Sequence, residues 1–304
     1  MLVGTCSWTD PRLLATGWYP RGSRDAAGRL RHYASRFGVV EVDASYYALP
    51  SERNSRLWVE RTPAGFVFDI KAFALLTGHP TPVSALPARL RPTGAGRRVY
   101  ARQLPGAVLD EAWALFRSAL EPLHQAGRLG AVNLQFPPWF RPGAGPRAEL
   151  ARCARRCAPY QASVEFRDGR WLAPEERDST LALLAEHGLA LCGVDMDQGH
   201  PGAVPPVAEV TSQRLAVVRL HGRSPRWAAG DRVERYLHRY TEAELREWVP
   251  RVRRLAAGAE QVHVLFNNCC GDSAVRGAAA MARLLAETGV GGCPQVGAKP
   301  GGGA

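Results

Sequence analysis

The chain has 304 residues, 46% of them hydrophobic, seven cysteines and a formal net charge of +11. It is long enough to bury a large core as one barrel or as two ordinary domains, and no apolar run approaches the roughly 20 residues of a membrane span, which excludes a spanning helix. The scattered, odd-numbered cysteines and the lack of a secretory leader predict a reduced, cytoplasmic compartment.

Only Lys71 and Lys299 among the 39 basic residues are lysines. Arginine suits planar, bidentate contact with phosphate or carboxylate, so an anionic small molecule or a nucleic acid is the expected partner. The many Ala, Gly and Pro residues offer arginine-rich codon usage as the main source of the excess. Cys153 and Cys157 share a helical face and Cys269-Cys270 follow a strand, but neither pair comes with the second ligand pair of a structural zinc site. The sequence names no cofactor.

In chain order, Leu2 to Trp8 reads as a short strand passing into a loop with Trp18, Tyr19 and Pro20. A helix over Arg29 to Phe37 leads to a second strand, Val39 to Asp43, in which Glu41 and Asp43 project from one face. A short helix through Trp58 precedes a third strand, Phe66 to Lys71, with Asp69 and Lys71 in phase. The stretch from Thr77 to Gly106 is rich in Pro, Gly and Arg and too long for an ordinary connection, which predicts a functional or partly mobile loop. Asp110 to Gln125 is an amphipathic helix, Gly130 to Pro138 a fourth strand stopped by its prolines, and Arg147 to Cys157 a helix. Ala162 to Arg167 is strand five, Pro174 to His187 a helix, and Leu189 to Val194 strand six, ending in Asp195. The Pro- and Gly-rich run from Gln198 to Val210 leaves the sixth helix short or absent. Strand seven is Val217-Val218-Arg219-Leu220-His221-Gly222, Thr241 to Leu255 a helix, Gln261 to Phe266 strand eight, and Asp272 to Glu287 the closing helix. Eight strands alternating with helices predict a single TIM-type (β/α)8 barrel over residues 1–288, followed by a flexible Gly- and Pro-rich tail over 289–304.

A buried strand that ends in Arg219 and His221 points at chemistry, because ligand sites of parallel α/β folds surround the C-terminal strand ends. The other strand ends supply Ser7, Glu41, Asp43, Lys71, Gln135, Glu165, Arg167, Asp195, Asn267 and Asn268. Outward positions in a barrel pack against helices, so charged ones near these ends should face the lumen. Glu41 and Glu165 are candidates for general acid and base, Lys71 for an electrostatic clamp or Schiff-base amine, and His221 for a proton shuttle. Arg167 and Arg219 could bind an anion, and Trp8, Tyr46, Tyr47, Trp171 and Trp227 could stack on a base or sugar or simply cover the core edge. The bland alternative is a structural charge network plugging the barrel. Glu41, Glu165, Asp195 and His221 could hold a hard divalent ion, but Lys71, Arg167 and Arg219 bring cations into the same mouth, so no metal site is assigned.

Seven motifs, in order, resemble those of the YecE-like family, known as domain of unknown function number 72. They are Gly4-Thr5-Cys6-Ser7-Trp8, Val40 to Tyr47 with Leu49-Pro50-Ser51, Phe68-Asp69-Ile70-Lys71, Gln135-Phe136-Pro137-Pro138, Val164-Glu165-Phe166-Arg167, Arg219-Leu220-His221-Gly222 and Phe266-Asn267-Asn268. The resemblance covers about Val3 to Leu285 and implies a TIM-type barrel, without supplying an activity. Asp43 stands where that family usually has asparagine, Asp168-Gly169-Arg170-Trp171 replaces a His-Pro-Ser-Trp run, and a threonine-histidine pair is present as Thr77-Gly78-His79.

Three functions follow from these readings. The first is an enzyme using acid/base or hydrolytic chemistry on an anionic substrate through Glu41, Lys71, Glu165 and His221. The second is a non-catalytic binder of nucleic acid or a phosphorylated ligand, and the third a scaffold whose mouth is vestigial.

Overall fold

The computed structural model describes residues 1–23, 25–94, 96–227, 234–268 and 270–287. Eight short, mostly apolar segments form the strands β1 (Leu2–Thr5), β2 (Val39–Val42), β3 (Val67–Lys71), β4 (Leu129–Gln135), β5 (Ala162–Glu165), β6 (Ala190–Asp195), β7 (Leu215–Leu220) and β8 (Gln261–Phe266). All neighbours are parallel, and the ring closes where β1 pairs with both β2 and β8. Such strands are covered on both faces, which is why they read as near-continuous hydrophobic runs rather than as alternation. The barrel predicted from the strand count is the one observed.

The helices are α1 (Pro11–Ala15), α2 (Ala26–Ala34), α3 (Glu52–Glu60), α4 (Gly106–Gln125), α5 (Ala144–Cys157), α6 (Arg177–Glu186), α7 (Glu242–Gly258) and α8 (Ser273–Glu287). α2 starts three residues before the expected Arg29, because the Asp25 carboxylate accepts the Gly28 amide at 2.5 Å and caps the first turn. α7 opens on a reciprocal box, in which Thr241 and Glu244 each satisfy the other's backbone amide.

Two connections depart from the simple alternation. Between β6 and β7 no helix forms. Val204 and Ala208 are buried there, and the Thr211 hydroxyl accepts from Leu191 N and donates to Leu189 O, both at 2.7 Å, tying the segment to β6. The long connection over 77–106 carries order of its own in the described residues. Thr81 pairs with Val99 and Pro82 with Arg98 in a two-stranded antiparallel ribbon, and Leu86, Leu90, Val99 and Leu104 are buried in the main core. Burying those four apolar side chains holds a Pro-rich stretch that has little backbone pairing of its own. The tail from Gly289 and Cys269 lie outside the described residues.

Register decides which strand residues face the lumen. Glu41 pairs in register with Asp69, Lys71 with Asn133, and Gln135 with Glu165, and because barrel strands tilt, register partners sit at different depths. Deeper in the barrel, His263 Nδ1 lies 2.9 and 3.0 Å from the two oxygens of Asp69. Charged residues thus occupy two levels of the interior, and the upper one lies beneath the mouth.

Candidate active site at the mouth of the barrel

Arg219, at the end of β7, is the hub. Its Nη2 donates to Glu41 Oε1 at 2.6 Å, its Nη1 donates to Glu165 Oε2, and Cys6 Sγ lies 3.5 Å from Nη2. Asn133 Nδ2 donates to the other Glu41 oxygen at 3.0 Å. On the far side of Glu165, Arg167 Nε lies 2.5 Å and His221 Nε2 3.1 Å from Oε1. Gln135 Oε1 accepts from Arg167 Nη2 at 3.0 Å and from Arg219 Nη1 at 3.3 Å. Because a carboxylate only accepts, His221 carries its hydrogen on Nε2, and its Nδ1 accepts from Asn267 Nδ2 at 2.9 Å.

Electrostatics separates the two carboxyl groups. Burial pushes Glu165 up, but the cations of Arg167 and Arg219, with His221, outweigh it and hold the group well below the usual carboxylate range. Burial also pushes Glu41 up, and there Arg219 offsets it only in part while Asp43 adds repulsion, so the group is raised. Two acids bridged by one guanidinium are thereby driven to different protonation behaviour. Burial and the Arg167 cation push His221 down to about 3, so the ring is neutral near physiological pH. Burial lowers Lys71, and the charges of Asp43 and Glu41 with the hydrogen bond to Asp43, whose Oδ1 accepts from Nζ at 2.7 Å, together raise it, so that the net shift is upward. That shift favours the ammonium, the form the electrostatic-clamp reading needs, over the neutral amine a Schiff base needs.

Glu41, Glu165, Arg219 and His221 converge as expected, yet all four are completely buried. What reaches the mouth is the layer above them. A cleft of about 550 Å³ is lined by Ser7, Asp43, Tyr46, Lys71 and Asn267. A second cleft of about 870 Å³ is lined by Arg141, Arg167, Arg170 and Arg235, with His79 and Trp227. Gln135 and Tyr236 belong to both, so the two open onto a common floor.

Four of the expected residues lie elsewhere, among them Trp171, which is fully buried and stacked on Phe140 and Phe166 with centroids 5.5 and 4.6 Å away. Asp195 is level with Leu220 rather than with Arg219, so its carboxylate faces α7, where it accepts from Tyr240 at 3.0 Å, from Trp248 Nε1, and from Arg223. Trp8 packs edge-on against Trp58 and Phe68, with centroids 6.0 and 6.4 Å away, as part of the core. Asn268 is buried and donates to His238 O at 2.8 Å. With Asp195 turned away and a guanidinium seated among Glu41, Glu165 and His221, the four residues weighed as metal ligands do not converge on an open position. Among the described residues no group of three or more His, Cys, Asp or Glu could hold an ion.

Sequence reasoning missed His79, Trp139, Arg141, Arg170, Arg235 and Tyr236. Two of them sit in the runs where this chain departs from the family pattern. The Asp168 carboxylate holds Arg170 through Nε at 2.9 Å and Nη2 at 2.7 Å, and lies 3.6 Å from Arg141 Nε. His79 Nδ1 is 3.0 Å from the Thr77 hydroxyl. Burial together with the Lys71 and Arg167 cations pushes that ring down to about 4.

Comparison with known proteins agrees with the motifs. A family model described as "Protein of unknown function DUF72" matches residues 2–299. The chain is 31% identical over 289 residues to the UPF0759 protein YunF of Bacillus subtilis (strain 168), covering 93% of this chain and 94% of that one. The crystal structure of a DUF72 family protein from Thermotoga maritima MSB8 superposes with a TM-score of 0.75 at 26% identity, covering 94% of this chain and 98% of the other. One from Enterococcus faecalis V583 gives 0.77 at 24% identity, covering 94% and 95%. With a family model matched along almost its whole length and the same barrel in solved relatives, this chain belongs to the DUF72 family.

Proposed function

We propose that this protein is an enzyme that holds a phosphate- or carboxylate-bearing substrate across the barrel mouth and acts on it by acid/base or hydrolytic chemistry. The observation that carries the reading is the meeting of two unlike clefts over Gln135 and Tyr236. Among the described residues four arginines and one carboxylate, that of Asp168, line the larger one, and guanidinium groups suit bidentate contact with an anion. Lys71 and Asp43 stand in the smaller one as a paired acid and base.

An anion seated in the arginine cleft places the rest of the substrate over the shared floor. The Lys71 ammonium then stabilises negative charge that develops there, and the Asp43 carboxylate takes a proton from a substrate hydroxyl or a water. Glu41, Glu165, Arg219 and His221 are positioning residues in this scheme, because none is open to solvent. They hold Arg167, Gln135 and Asn267 from below through direct contacts. Lysine use supports the assignment. Only two lysines occur in 304 residues, and in a chain that otherwise uses arginine for nearly every cation, Lys71 marks a place suited to a compact point charge on a slim stem.

The test is to titrate inorganic phosphate into the protein by calorimetry and to follow a panel of phosphate esters and hydroxy acids by phosphorus and proton NMR. Saturable phosphate binding, weakened in R170A, together with conversion of one class that is abolished in D43N and K71A, is the expected result. Neither binding nor conversion overturns the reading. Binding without any conversion favours the non-catalytic phospho-ligand binder, the role the buried network would serve if it only plugs the barrel.

A further inference from the structure

Among the described residues three large hydrophobic side chains are exposed: Tyr47 at 45%, Trp139 at 52% and Leu237 at 44%. All three lie in connections that follow C-terminal strand ends, after β2, β4 and β7, so they gather on the face that carries the clefts. Single exposed apolar residues are ordinary, whereas their concentration on one face marks a contact surface.

The rings also form a chain of contacts. Centroids run from Tyr47 to Tyr46 at 5.0 Å, from Tyr46 to His79 at 5.2 Å and from His79 to Trp139 at 6.1 Å. Tyr46 lines the smaller cleft and His79 the larger, so this row runs along the rim from one to the other. Cations flank it. Lys71 Nζ lies 4.8 Å from the Tyr46 centroid, and Arg141 is two residues beyond Trp139. Each cleft has the size of a whole small-molecule site, for which roughly 300–1,000 Å³ is usual, so two of them joined at a common floor suit something longer. An acidic peptide would satisfy the arginines but would leave the flat faces of Trp139 and Tyr47 without matching planes. A duplex keeps its base faces stacked inside.

We propose that the substrate is a single-stranded nucleic acid, with phosphates in the arginine cleft and unstacked bases on Trp139 and Tyr47. Stacking on aromatic side chains and phosphate contact through arginine are how such strands are held, and both draw on features already placed at this mouth. This inference rests on the reading of the arginine cleft as an anion site.

Fluorescence anisotropy of the full chain with an end-labelled thymidine oligomer of about twelve nucleotides tests it. The expected result is saturable binding that weakens at least about tenfold between ~50 and ~200 mM salt. W139A and Y47A should each weaken it on the order of tenfold, with melting temperature measured in parallel to separate a lost contact from a loosened fold. Polyglutamate and a duplex of the same length should compete poorly. Phosphate binding by calorimetry without oligomer binding overturns this inference and leaves the anion site standing. So does oligomer binding that W139A and Y47A leave unchanged, or that polyglutamate displaces equally well. Loss of phosphate binding as well overturns both.

Discussion

Lys71 donates a 2.7 Å hydrogen bond to Asp43 where β2 and β3 run side by side, and the same ammonium lies 4.8 Å from the centre of the Tyr46 ring. A buried slot of that kind accepts a slim stem with a compact head. Replacing it with the broader guanidinium keeps the charge and loses the fit. K71R is therefore expected to reduce turnover as severely as K71A, by about a hundredfold or more if Lys71 stabilises charge in the transition state. Near-normal kcat in K71R would show that any cation serves, and the lysine assignment would fall.

Arg219 bridges Glu41 and Glu165 in a region closed to water. Removing one member of a buried set leaves the remaining charges uncompensated, at a cost of about 3–5 kcal/mol. R219M should approach that loss in urea denaturation. E41Q should cost less, because burial already disfavours the charge on Glu41, which is raised from the ordinary carboxylate range, and glutamine preserves an acceptor for Arg219. Equal losses in the two variants would contradict the separation of the two carboxyl groups.

His221 and His79 are pushed down from 6.5 to about 3 and about 4. Below pH 6.5 the unfolded chain takes up a proton on each ring while the folded protein does not, so stability falls as the solution is acidified. Each ring contributes a slope of up to about 1.4 kcal/mol per pH unit in that window. Glu165, held low, adds loss below the ordinary carboxylate range, whereas Glu41, held high, acts in the opposite direction. Denaturation at about pH 7 and about pH 5 should show the weaker fold at the lower value, with a smaller difference in H79N. A flat or inverted profile would contradict neutral, buried imidazoles.

A side chain on Gly130 would enter the lower level of the barrel. A Cβ there would come 2.8 Å from His263 Cε1 and still closer to Asp69 Oδ1, so the His263 and Asp69 pair needs a bare backbone beside it. G130A is expected to destabilise by at least about 1–3 kcal/mol through overpacking. Thermal melting checks it, and a melting temperature within a degree or so of the parent would mean that the pair shifts freely.

Asp195 offers a control for the site itself. Its contacts to Arg223, Tyr240 and Trp248 join β6 to the region of α7, away from both clefts. D195N should lower stability by about 1–3 kcal/mol, since the amide cannot accept from all of these donors, and leave phosphate affinity unchanged. A large loss of affinity at normal stability would return Asp195 to the binding machinery.

The fate of Asp195 shows where reading the sequence stops. Strands closed on both faces announce themselves by hydrophobicity, and the polar ends of β2, β3, β5 and β7 were legible because their charges break apolar runs. Which way a terminal side chain points depends on register, and one step along a strand exchanges lumen for helix layer. Arg219 and Asp195 end adjacent strands and look alike in sequence, but they are out of phase by that one step. The direction of Trp8 is hidden from the sequence for a similar reason, since the residue lies just past β1 and its direction is set by Trp58 and Phe68. The arginines of the larger cleft were illegible in another way. Arg141, Arg170 and Arg235 lie in connections, where proximity is decided by how distant loops pack and not by any periodicity.

The segment after β6 has two neighbours to satisfy. Val204 and Ala208 fill the space a helix would otherwise cover, while His200 and Ala203, only a few positions earlier, form part of the cleft wall. Altering the wall there also disturbs the packing of the barrel flank, so that side of the mouth has little freedom to adapt to a new ligand. Variation in what the barrel accepts would have to come from the opposite bank, through the turn bearing Trp139 and Arg141.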